Sequence, residues 1–217
     1  MAAKPEPRHH PAPKLLPPPA EPVADQERVD RIEDPKRLRA LAHPLRWGLL
    51  DYVGSYGPVT ATRCAEALGE SVASCSYHLN ILAKYGFIEE APGSHGRERP
   101  WQATSHTQTI GGLDMDTETH VAARAAGDAL IDRHVALIKD HHGPRYEGPE
   151  EWRKANTVVG STLFITAEEA EQLRTDLMAL ADRFNDRLAD ASLRPPDARE
   201  VRLFLATTLI PDRAPKS

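Results

Sequence analysis

Cysteine is almost missing from this chain, with two residues, Cys64 and Cys75, in 217. That excludes a disulfide-stapled scaffold, and the two thiols fall on segments read below as separate helices, so both are expected to be reduced. Long apolar runs are missing too. None approaches the roughly 20 residues a bilayer-spanning helix needs, and the opening Met-Ala-Ala-Lys-Pro-Glu-Pro-Arg-His-His holds no apolar signal-peptide core. A cytoplasmic protein without a membrane partner is the expectation. There is no phosphate-cradling glycine loop, no Gly-x-Ser-x-Gly elbow and no His/carboxylate cluster on a regular framework. Neither catalysis nor a cofactor is expected.

A cationic excess is also missing, since the formal net charge is −5. Its distribution matters more than its total. Residues 1–33 carry five Lys/Arg against six Asp/Glu, residues 34–105 eight against seven, and residues 106–217 fourteen against nineteen. The acid therefore sits mostly in the last part of the chain. Eight of the nineteen prolines fall in residues 1–30, including Pro17-Pro18-Pro19. Few apolar anchors accompany them, the composition of a disordered tail. Three parts are expected: a proline-rich tail over 1–30, a compact domain over 31–106, and a remainder over 107–217.

What is present is most informative between Ser71 and Ile88. Ser71 can cap a helix that ends at Gly86, and a strand follows at once. Advancing 100° per residue gathers Val72, Cys75, Leu79 and Leu82 on one face. Ala73, Tyr77, Asn80 and Lys84 fall on the opposite face, flanked by Ser74 and Ser76. Such a face normally carries carboxylates. This one offers short hydrogen-bonding groups, an aromatic and one cation, a surface suited to a groove. His78 falls nearer the buried side and is expected to be structural.

The preceding segments complete a motif. Asp34-Pro35 and His43-Pro44 each open a helix, the first through Leu38 and Leu41, the second through Leu45, Leu49, Leu50 and Val53. Gly54, Gly57 and Pro58 should end the second. Thr60 caps a third, with Cys64, Ala65, Ala67 and Leu68, closed by Gly69. The turn Leu68-Gly69-Glu70-Ser71 then gives helix-turn-helix spacing. Residues 87–90 and 101–104 can pair as strands, with residues 92–99 as a wing tip bearing Arg97 and Arg99. These arginines are candidates for backbone or minor-groove contacts.

Residues 34–105 resemble an ArsR-type winged helix-turn-helix regulator. The shared signatures are Leu-Ala-His-Pro-Leu-Arg at 41–46, Ser-Tyr-His-Leu at 76–79 with Leu82, and Gly-Phe-Ile at 86–88 running into an Arg-bearing hairpin. The resemblance covers about a third of the chain and implies a dimeric DNA-binding transcription regulator. Its metal-sensing branch carries a Cys-x-Cys type ligand pair on the helix before the recognition helix. Here Cys64 stands alone there.

Beyond 106 the resemblance thins. A long helix is expected from Thr117 to His142, with Ala123, Ala126, Leu130, His134, Leu137 and His141 at spacings of three and four, and Ile131, Val135 and Ile138 widening the apolar face. The natural partner is the same helix of a second subunit, since a palindromic operator needs a two-fold protein. Residues 157–165 and 201–210 read as strands flanking a helix that Thr166 and Glu169 open as a capping box and that carries Leu173, Leu177, Leu180, Phe184 and Leu188. The expected class is α+β, mainly helical: a winged helix-turn-helix domain, a dimerisation helix and a strand–helix–strand extension. The function expected is a homodimeric regulator of double-stranded DNA, a repressor. A small-molecule effector near Phe164, Phe184 and Phe204 is the accompanying expectation. Two alternatives stand beside it. Asp132, His134, His141 and His142 could hold zinc or nickel between subunits, although no metal is expected. The chain could also be an interaction module that binds no DNA.

Overall fold

The computed structural model describes residues 29–92, 99–105, 107–110, 115–141 and 148–210. Most of the expected tail with its His9-His10 pair, the wing tip with Arg97, and His142 with Gly143-Pro144 lie outside these residues. In chain order the elements are β1 (Val29–Ile32), α1 (Pro35–Leu41), α2 (Pro44–Tyr56), α3 (Ala61–Leu68), α4 (Val72–Lys84), β2 (Ile88–Glu90), β3 (Trp101–Ala103), β4 (Thr107–Ile110), α5 (Thr117–His141), α6 (Glu150–Ala155), α7 (Ala167–Asp182) and α8 (Asn185–Ala189).

The first four helices begin where the caps foretold. The Asp34 carboxylate accepts from Lys36 N at 2.9 Å, His43 Nδ1 from Leu45 N at 3.2 Å, Thr60 Oγ1 from Arg63 N at 3.4 Å and Ser71 Oγ from Ser74 N at 3.1 Å. Each satisfies one backbone donor that a helix N-terminus leaves open. Gly69 ends α3 in the left-handed region at φ 68°, which favours a residue without Cβ. One boundary moves. Gly54 stays inside α2, which continues to Tyr56 because Gly57 N still donates to Val53 O at 2.8 Å.

Leu38, Leu41, Leu49, Val53, Cys64, Cys75, Leu79, Leu82, Phe87 and Ile88 are fully buried together. The hairpin β2–β3 closes this core antiparallel, with Ile88 opposite Ala103 and Glu90 opposite Trp101, and Trp101 also bridges Val59. A second small sheet pairs β1 with β4 in parallel, Val29 with Thr107 through Ile32 with Ile110. Periodicity did not reveal it. β1 straddles the boundary expected at 30/31 and β4 starts just past the one at 106/107, so the pair joins the start of the compact domain to the approach to α5.

The first half of α5 belongs to the same core. Ala122, Ala123, Ala126 and Ala129 are buried against the chain's own α1 and α2, and Trp47 Nε1 donates to Ala126 O at 3.2 Å. The expectation for the last part holds only for its helix. The capping box of α7 forms both bonds, Glu169 N to Thr166 Oγ1 at 3.2 Å and Thr166 N to Glu169 Oε2 at 2.7 Å. The helix then breaks at Arg183-Phe184 and resumes as α8. Neither residues 157–165 nor 201–210 form a strand. A strand exists only with a partner ladder, and neither segment has one among the described residues.

Candidate nucleic-acid interface

Thirteen residues make α4 about 20 Å long, a rod that fits a major groove. Cys75, Leu79 and Leu82 are sealed into the core, with His78 beside them. Ala73, Tyr77, Asn80 and Lys84 stand exposed on the other side, Tyr77 at 62%, while Ser74 and Ser76 are half-buried along the flank. Val72 is 48% exposed, not on the buried face, because it occupies the first turn ahead of the helix's contact with the core. No carboxylate lies on α4.

His78 and Arg46 hold the helix in place. Arg46 Nε donates to His78 Nδ1 at 3.2 Å, and its guanidinium also reaches Ala40 O at 2.6 Å and Arg39 O at 3.3 Å. One side chain thereby caps the end of α1, springs from α2 and fixes α4. His43 packs on His78 with ring centroids 4.5 Å apart, and the Tyr77 ring meets His78 edge-on at 5.1 Å. Burial pushes the His78 pKa down, and the neighbouring His43 and Arg46 push it further in the same direction. Arg37 adds a further brace, donating to Tyr85 O at 3.2 Å and lying over the Phe87 ring at 4.7 Å. Arg37 was not singled out in the sequence, and Arg46 entered only as the last residue of the 41–46 signature, without a role. The Leu-Arg pair after His43-Pro44 was the available signal, since an arginine one turn into a helix can reach back to the preceding helix's carbonyls.

The polar groups on the exposed side of α4 differ in readiness for a contact. Asn80 Nδ2 donates to Ser76 O at 2.8 Å and must release that bond to present its full amide edge. Lys84 Nζ sits 5.6 Å from the Tyr85 ring centre. At the wing base, Arg99 pairs with Glu90 at 3.0 Å, both partners substantially exposed. A surface pair of that kind contributes little, so a phosphate can displace Glu90.

The α5 candidates separate into two groups. Ala123 and Ala126 are covered within the chain, whereas Leu130, His134 and Leu137 are half-buried, and Ile131, Val135 and Ile138 are exposed beside them. Of the possible ligands, Asp132 and His141 are exposed, and His134 Nδ1 and His141 Nδ1 each lie 3.0 Å from a carbonyl one turn back. Among the described residues no group of three or more His, Cys, Asp or Glu is placed to hold a metal. Cys64 is fully buried, and burial pushes its thiol up to about 12, so it is a core side chain and not a thiolate. The three phenylalanines are not gathered. Phe164 is 99% exposed, Phe184 lies under Arg183 and Arg187, and Phe204 stacks on His134 at 4.6 Å.

Two helices joined by a left-handed glycine turn, an outward face free of carboxylates and a following antiparallel hairpin define a winged helix-turn-helix fold. Residues 41–91, from the end of α1 through β2, match the helix-turn-helix domain family. The chain therefore carries a helix-turn-helix domain, a module of DNA-binding transcription regulation. Among curated proteins, none matches it. No helix among the described residues is long and apolar enough to cross a membrane.

Proposed function

We propose that this protein is a cytoplasmic, homodimeric transcription repressor of ArsR type that reads a palindromic operator. The observation behind this reading is the two-sidedness of α4. One face is sealed by Cys75, Leu79 and Leu82 while Tyr77, Asn80 and Lys84 stand clear, with Ser74 and Ser76 along the edge. In use, Tyr77 and Asn80 meet base edges, the two serines and Lys84 take base or phosphate oxygens, and Arg97 and Arg99 follow the adjacent backbone. Two copies meet along the exposed side of α5 around Leu130, His134 and Leu137, which places two α4 helices on successive half-sites. Residues 107–217 serve this dimer, and any inducer is a small organic molecule, not a metal. A metal sensor is the weaker reading, because the helix-end histidines are already turned onto backbone carbonyls and Cys64 stays a neutral thiol.

Fluorescence anisotropy on DNA flanking the protein's own gene tests this reading. Tyr77→Ala with Asn80→Ala should fold as the parent does, since neither residue supports the core. Removing each base interaction should weaken binding by about 1–3 kcal/mol. Parent-like affinity in the double variant rejects α4 as the reading helix. A parent protein that binds no duplex DNA leaves the interaction-module reading.

A further inference from the structure

The last two turns of α2 hold a segment from far along the chain. Arg194 Nη2 donates to Ser55 O at 3.0 Å, and Glu200 accepts from the Tyr56 hydroxyl at 2.6 Å. Arg202 pairs with Asp51 at 2.9 Å and reaches Ser55 Oγ at 3.3 Å, while Phe204 stacks on His134 of α5. Each of these contacts is made by a side chain of the segment. None of residues 194–205 is buried, and the segment belongs to no ladder among the described residues. It is a strap fastened at a few points, the kind of element that opens at low free energy.

Asp51, the anchor of this strap, has a second arginine beside it. Its side chain is 22% exposed, with one oxygen engaged by Arg202. Its Oδ2 and the Nε of Arg133 on α5 are both buried and lack a hydrogen-bond partner among the described residues. A Cβ at Gly48, one turn ahead of Asp51, would lie 3.3 Å from Arg133 Nε, so the guanidinium rests on α2 next to the carboxylate's turn. Burial raises the Asp51 carboxyl above its usual pKa. Arg202 opposes that most, His134 and Arg133 do so too, and Glu200 adds to the rise. A buried acceptor and a buried donor, both open, leave a pairing unmade. The strap is compensated as well, because Arg202 also pairs with Glu200 on the same segment. Detachment would carry away a neutral pair and leave Asp51 to Arg133. Neither side would strand a charge, which is the large penalty of opening a buried ion pair.

We propose that residues 194–205 are a detachable clasp, and that Asp51 switches between Arg202 when the clasp is closed and Arg133 when it is open. Closed, the clasp lays Phe204 on His134 and occupies that part of α5. Open, it bares His134 between Leu130 and Leu137, where a second subunit would sit. Clasp and second subunit then exclude each other, so the closed strap is an autoinhibitory cover over α5. Only this last consequence rests on the homodimer reading. The exchange at Asp51 is independent of it.

Fluorine NMR of the full-length chain carrying para-fluorophenylalanine tests both. The sequence holds four phenylalanines, and Phe204→Leu assigns the signal of interest. Docked and free Phe204 signals should be resolved, the docked one dominant at low concentration. Arg202→Gln should shift the docked-to-free ratio about tenfold toward free, the effect of losing one charge-assisted hydrogen bond. Arg133→Gln should shift it the other way, because the open state loses its partner for Asp51. Once Asp51→Asn has removed the shared carboxylate, Arg133→Gln should change nothing. A ratio that ignores Arg133→Gln overturns the exchange, and so does one that ignores Arg202→Gln. Arg202 lies on an exposed segment, so that arm stands even where Arg133→Gln fails to fold. As concentration rises, the free signal should grow while light scattering reports twice the chain mass. A docked signal that persists in the dimer overturns the cover. A chain that stays monomeric overturns the homodimer reading and the cover together, while the variant ratios still decide the exchange.

Discussion

At His78 the imidazole must accept a hydrogen bond from Arg46 Nε at Nδ1, which requires that nitrogen to be unprotonated. Burial comes first among the causes that lower its pKa below the usual 6.5, followed by His43 and Arg46, with Glu70 opposing weakly. A depressed pKa means that the fold favours the neutral ring. The associated stability is complete above pH 6.5 and is lost as pH falls toward the depressed value. We therefore expect the urea midpoint of the parent to drop between pH 7.5 and 5.5. His78→Gln keeps an acceptor for Arg46 but cannot titrate, and its profile should be flatter over that interval. Equal slopes for the two proteins would show that His78 does not govern acid sensitivity.

Between α2 and β3, Gly57 is fixed by proximity. A Cβ at that position would lie 2.5 Å from Val53 O and 3.3 Å from Trp101 O, and both obstacles are backbone. Gly57→Ala should cost about 1–3 kcal/mol, a fall in Tm of roughly 2–12 °C by calorimetry, and an unchanged Tm would mean the junction yields freely. The sequence displayed this part of the fold well. Asp34-Pro35, His43-Pro44, Thr60 and Ser71 each announce a helix through side-chain chemistry confined to two or three neighbouring residues, and the faces of α4 follow from a simple period. The exposed face of α4 could be read the same way, and of its apolar face only Val72, in the first turn, departs from the reading. Hidden from that reading were β1 and β4, four residues each and partnered across more than seventy positions. The bracing roles of Arg37 and Arg46 were hidden too, since they depend on where separate helices meet. Residues 157–165 and 201–210 have the composition of strands, yet composition cannot supply the partner that a ladder requires. Of the α5 pattern, Ala123 and Ala126 could not be assigned to one contact or another from spacing alone. A small-residue stripe serves a helix of the same chain as readily as a helix of a second one.

Over the whole molecule the net charge of −5 works against a polyanion, and residues 106–217 carry most of that deficit. On the proposed reading DNA affinity comes from a few well-placed cations, with Arg97 and Arg99 as the pair assigned to the wing. Arg97→Ala with Arg99→Ala should weaken binding to unrelated sequences by a similar factor. It should also reduce the slope of log K against log salt by about 1 for each phosphate that is no longer neutralised. Anisotropy titrations between 50 and 200 mM salt measure that slope. An unaltered slope would place the hairpin away from the DNA backbone.

The pairing of β1 with β4 has a geometric consequence. Both strands run in the same direction, and β1 leads into α1 while β4 leads on toward α5, so two helices distant in sequence set out from one edge. Four paired residues are too few to be stable by themselves, but they act as an indexing pin between two rods. A slip of one residue in this register would slide one helix along the other by about 3.3 Å. Such a step would pull the Ala126 carbonyl off Trp47 Nε1 and carry the buried Ala122, Ala123 and Ala129 out of register with α1 and α2.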